Sequence, residues 1–165
     1  MRYGIDTGAP AQESLRDRMT IRSPWTFATR FYAAGDVART LRMLQDRDGA
    51  DVLMVLTLLH CAQRGRMLDA AAVARIDAAA VAYRAVIAPL RTARRAIPHD
   101  ATTLLARVKA AELLAERRQL THLARIAATE SLAHHQAAAA PHLAHYLPDS
   151  PERASLLAAF ARFGR

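Results

Sequence analysis

The chain has 165 residues, 52% of them hydrophobic, and a formal charge of +8. That length suits one domain with a real core, and the single cysteine, which excludes an internal disulfide, fits a reducing cytoplasm. The longest apolar run, 52–62, is interrupted by Thr57 and His60 and falls short of the ~20 residues of a spanning helix, so a soluble protein with no membrane partner is expected.

Ala fills 38 positions, against six Gly and seven Pro. Ala is the best helix former and a poor strand former. The expected fold is therefore all-α, a single-domain bundle of about five to six helices. The bases are 22 Arg and one Lys, a bias that a GC-rich genome produces by itself. Their distribution says more: residues 84–125 hold nine bases against three acids, +6 of the +8.

Residues 1–22 are polar, lack sustained periodicity and show no secretory core, so they read as a tail, with Met19 as an alternative start. A helical domain is expected over 23–132. Ser23 suits the cap and Pro24 the first turn of a helix in which Phe27 and Phe31 stand one turn apart. Gly35 is its left-handed stop. Asp36 is expected to cap a second helix that turns Val37, Leu41 and Leu44 inward and ends at Asp48-Gly49.

Asp51 caps a third helix, about 52–64, whose apolar residues point to nearly every side; it should be the buried centre. A fourth helix opens after Asp69 and runs toward Ile97, with a kink or break expected near 85–89 from Pro89. Asp100 opens a fifth, continuing to about Leu132, with apolar positions at 105, 108, 113, 120, 123 and 126. Residues 133–151 read as a His/Ala/Pro-rich linker and 152–165 as a short C-terminal helix.

The acids Asp46, Asp48 and Asp51 invite a calcium reading. An EF-hand loop counted from Asp46 needs Gly at position six and Glu at twelve, and this chain has Asp51 and Thr57 there. Capping explains the carboxylates better. His134, His135, His142 and His145 are candidate metal ligands, but no Asp or Glu lies between Glu130 and Asp149 to complete a set. A solvated His-rich linker is favoured, and no cofactor is implied.

His60 and Cys61 are neighbours about 100° apart on a helix, so they form no dyad; Cys61 reads as packing. No nucleophile elbow, phosphate loop or dinucleotide fingerprint occurs, and no catalytic residue is assigned.

One stretch has a more specific pattern: Trp25-x-Phe27-Ala28, then Tyr32, Leu44-Gln45-Asp46, Gly49-x-Asp51-Val52, an apolar helix and Gly65. It resembles a family of small proteobacterial proteins catalogued only as a domain of unknown function, over about residues 23–125. The resemblance implies an all-helical bacterial protein and supplies no reaction. Leu53 stands where that pattern has Asn, and His60 where it has Trp.

Three functions from different classes are compatible with this chain. The favoured one is a non-catalytic binding or adaptor protein, with a protein partner or a second copy on the fifth helix, whose ~45 Å exceed what the first three helices can cover. A second is nucleic-acid binding through Arg91, Arg94, Arg95, Arg107, Lys109, Arg117 and Arg118. Against it, no aromatic residue interleaves the basic run, and Glu112 and Glu116 are expected to neutralise part of it within the helix. A third is a small-molecule site or enzyme with a pocket near Trp25, Tyr32, Asp46 and His60.

Overall fold

The computed structural model describes residues 23–132 and 139–163. Their helices are α1 (Pro24–Tyr32), α2 (Val37–Asp48), α3 (Val52–Gln63), α4 (Ala70–Ala96), α5 (Thr102–Glu130), α6 (Ala139–Ala144) and α7 (Pro151–Phe163). The protein is an all-α bundle. The described residues form one helix more than the sequence pattern implies for them, because α6 forms inside the stretch read as a linker.

The third helix is the centre. From Met54 to Ala62 every residue of α3 is buried, and α1, α2, α4, α5 and α6 all pack on it. Its mixed apolar circumference has no solvent side to satisfy, which is why the polar Thr57 bonds back to the Leu53 carbonyl at 2.8 Å. Leu58 and Leu59, both fully buried, fill the middle of the core.

All four phenylalanines form one cluster at one edge. Phe27 and Phe31 stack with centroids 5.6 Å apart, and Phe163 of α7 meets both edge-on, at 5.7 and 5.2 Å. Edge-to-face pairs add roughly 0.5–1.5 kcal/mol each beyond burial. These rings join α7 to α1, while the body of α7 packs on α2. Leu143, Leu147 and Leu156 are buried in the same core, so the segment read as a His/Ala/Pro-rich linker contributes side chains to the domain.

The long helices α4 and α5 pair along their length as a hairpin. That pairing answers the question of what the long fifth helix packs on: its neighbour in sequence. Pro89 sits inside α4, which runs on through the position where a break is expected. A proline forgoes one intrahelical bond, and the packing of α4 on α5 holds the helix together, with Ile87 nearby buried. At its far end α5 stops at Glu130, and Leu132 donates its N–H to the Met67 carbonyl at 2.9 Å.

Two expected caps are not made. Asp36 has φ −87° and ψ 6°, outside the extended geometry that turns a cap side chain onto the first amides, and its carboxylate faces Arg39 at 3.2 Å in solvent instead. Asp100 is displaced by Ala101 at the N-cap of α5, which has no side-chain cap. Ser23 and Asp69 cap as expected, Asp69 accepting the Ala72 N–H at 2.7 Å. Gly35 and Gly49 take the positive φ of 51° and 67° that their turns require.

Candidate functional site

Asp51 caps α3, and it does more. Its Oδ1 accepts the Leu53 and Met54 N–H groups at 2.9 and 3.4 Å. Its Oδ2 accepts from Arg84 Nε of α4 at 2.9 Å and from Gln119 Nε2 of α5 at 2.7 Å. Its own backbone N–H donates to the Tyr146 hydroxyl at 3.0 Å. One residue thereby ties the start of the central helix to α4, α5 and the segment after α6. Arg84 also pairs with Asp77. Desolvation works against the Arg84 charge, but its hydrogen bonds to Asp51 and Asp77 outweigh it and hold its pKa above the usual value.

A groove of about 480 Å³ opens beside this hub. Trp25, Tyr32, Leu53, Leu56 and Leu113 supply its apolar surface, and Arg42, Asp46, Arg91, Arg94 and Arg95 its charged one. Three of the four expected pocket residues, Trp25, Tyr32 and Asp46, are brought together here. His60 is not among them. It lies on the same side of α3 as Leu53 but seven residues further on, about 10 Å along the axis. There its ring packs against Phe27 at 5.5 Å, and it borders a separate crevice with Cys61 and Arg66.

The groove wall holds a charge network that crosses between helices. Arg91 donates to Glu112 and Glu116 at 3.3 and 2.9 Å, and Arg94 to Glu112 at 2.5 Å. Glu112 is 7% exposed, so these arginines answer a buried charge that would otherwise be costly. Burial pushes the Glu116 carboxyl above its usual range, against the pull of Arg91. The expected pairing of Glu112 and Glu116 within α5 is therefore corrected: both face α4. Arg91 and Arg94 are correspondingly not a free basic face.

The remaining basic candidates are on the surface. Arg95, Arg107, Lys109, Arg117 and Arg118 are exposed, and the Arg117 guanidinium lies 5.9 Å from the Trp25 ring centroid. The structure also supplies what the basic run lacks in sequence, an aromatic neighbour: Tyr83 of α4 borders the same surface as Arg117 and Arg118.

The histidines need a correction as well. His134 and His135 lie outside the described residues, and His145 is exposed. His142, expected in a solvated linker, is fully buried. Its Nε2 accepts the Leu68 N–H at 2.9 Å, so the proton is on Nδ1, which donates to the Leu58 carbonyl at 3.2 Å. Both nitrogens are spent on the fold, and desolvation lowers its pKa. Among the described residues no three His, Cys, Asp or Glu side chains gather as a metal site. Burial pushes the Cys61 thiol up to about 11, against the field of Arg66 and Arg64, and so it is protonated packing rather than a nucleophile.

Gln119, Tyr146 and the role of Arg84 were not singled out from the sequence. Gln119 left one trace. It shares the inward face of α5 with positions 112, 116, 123 and 127, three polar residues in a line where a helix normally buries apolar ones.

Residues 23–123, which include every residue of the groove, match the family described as Protein of unknown function (DUF2390). The chain belongs to that family. No curated protein and no solved structure matches it.

Proposed function

We propose that this member of the family is a non-catalytic binding or adaptor protein, and that its partner docks a side-chain anchor in the Trp25 groove. The observation that supports this reading is the kind of residue found there. Trp, Tyr and Arg are the types that dominate binding hot spots, and the groove presents Trp25, Tyr32, Arg42 and Arg95 around an apolar floor of Leu53 and Leu56. A volume near 480 Å³ holds a few side chains, which suits the anchor of a protein partner.

A catalytic reading is less well supported. Of the four carboxylates that line the groove, three are already engaged, Asp51 by Arg84 and Gln119, Glu112 and Glu116 by Arg91 and Arg94, and Asp46 is exposed to solvent. A general acid or base needs a free position at the reacting atom.

The test compares affinity purifications of the wild type and of Trp25→Ala combined with Leu113→Glu. Leu113 is 52% exposed, so the fold should survive the change. A protein that co-purifies stoichiometrically with the wild type should be lost from the double variant while its circular-dichroism spectrum stays that of the folded chain, with a lower midpoint because Trp25 packs partly on the core. Equal recovery by both would refute the reading.

A further inference from the structure

Three arginines and the acids of α5 fall on opposite faces, with Lys109, about 200° from Arg107, the one base on the acids' side. Arg107, Arg118 and Arg125 fall within about 20° of one line along the helix, at ~100° per residue. The three acids of α5, Glu112, Glu116 and Glu130, lie about 140–180° away. Each of those acids is engaged by α4: Glu112 and Glu116 with Arg91, and Glu130 with Arg75 at 2.5 Å. The neutralising charges have therefore been drawn to the inner side, and the outer stripe keeps its full positive charge. Compositional bias toward Arg predicts more arginines but no such sorting.

The stripe also has shape. Beside it, Tyr83, Arg117, Arg118, His122 and Arg125 line a shallow depression of about 510 Å³ that has no acidic residue in its wall. Tyr83 packs on His122 with centroids 5.4 Å apart, and Arg125 Nη2 donates to His122 Nδ1 at 3.2 Å. Arg107, Arg118 and Arg125 are all exposed, spaced ~16 and ~10 Å along the axis. A straight row of guanidinium groups of this reach matches a polyanion with regularly repeated charge, and guanidinium forks suit phosphate oxygens.

We infer that the outer stripe Arg107–Arg118–Arg125, with the Tyr83 depression beside it, is a docking surface for the phosphodiester backbone of a nucleic acid. Recognition is of backbone charge, independent of sequence. The surface lies on the opposite flank of α5 from Glu112 and Glu116 and stands whether or not the Trp25 groove binds a protein.

Fluorescence anisotropy tests it with two labelled 24-mers, a DNA duplex and a single-stranded RNA, between 50 and 200 mM salt. Three phosphate contacts give a slope of log affinity on log salt of about −3 for duplex and about −2 for single strand, and the arm bound more tightly at equal salt names the natural form. Reversal of Arg107, Arg118 and Arg125 to Glu should weaken binding at least tenfold and flatten the slope. Reversal of Arg39, Arg64 and Arg162, also exposed and equal in net charge, should stay within about threefold. Circular-dichroism melting confirms that both triple variants are folded. Absence of salt-dependent binding, equal losses in the two triple variants, or tighter binding to phosphatidylserine vesicles than to either 24-mer would overturn the inference.

Discussion

Asp51 Oδ2 lies 2.7 Å from Gln119 Nε2, a bond that joins the first turn of the central helix to the middle of α5 across 68 positions of sequence. The same oxygen takes Arg84 Nε. A cap alone needs one acceptor atom, and Asn provides one as well as Asp. This carboxylate uses both. In Asp51→Asn the amide nitrogen would face two donors.

Asp51→Asn should therefore destabilise nearly as much as Asp51→Ala, by about 2–3 kcal/mol, the sum of a lost charged bond and an unanswered Arg84, discounted because Arg84 reaches solvent. Urea unfolding of the two variants measures it. An Asn variant within a few tenths of wild type would show that the cap is the whole role.

His142 sets a pH dependence. Its folded pKa lies below the usual 6.5 because burial disfavours the cation, so between the folded value and about 6.5 the unfolded chain binds more protons at this site. The stability it contributes is fully present above pH 6.5 and is lost as pH falls toward the folded value. Protonation would also set an Nε2–H against the Leu68 N–H. Chemical unfolding at pH 7.5 and 5.5 should show a smaller pH penalty in His142→Gln than in wild type. Equal penalties would contradict the neutral, Nδ1-protonated ring.

Core substitutions should grade with position. Leu59→Ala, fully enclosed, should cost about 2–5 kcal/mol, and Leu56→Ala, which borders the groove, should be nearer the lower end because solvent reaches the space left behind. Thermal melts of both variants check the ordering. An equal or reversed order would mean that the groove is closed in solution.

Leu113 and Leu120 separate interface from core although both belong to the apolar pattern of α5. Leu120 is fully buried and Leu113 is 52% exposed. Leu120→Glu should unfold the domain, while Leu113→Glu should leave its midpoint within about 1 °C, as a surface change does. A folded Leu120→Glu variant would place α5 wrongly.

The comparison of α3 with α5 shows what was legible in the sequence. The central helix could be read because its evidence is local: an Asp before a long apolar run, closed by Gly65. The partner of α5 could not, because an apolar pattern reports that a face is buried and not by what. Similarly, Asp51 declared itself as a cap through its position next to α3, while its bonds to Arg84, Gln119 and Tyr146 depend on which helices come together. The burial of His142 is not legible in sequence for a related reason. Its neighbours His134, His135 and His145 give a polar composition, and composition does not show that Leu58 and Leu68 present a carbonyl and an N–H to one ring. Trp25, Tyr32 and Asp46 were grouped by pattern and meet in space; His60, grouped with them, sits two turns away.

The groove as a docking site is tested most directly by photo-crosslinking in cells that express the chain. Benzoylphenylalanine is placed at Leu113 on the groove and, as a control, at Val81, which is 58% exposed and outside it. The account predicts one discrete crosslinked protein from position 113, absent from position 81 and abolished by Trp25→Ala. A crosslink of equal strength from both positions, one that survives Trp25→Ala, or none from position 113 would contradict it.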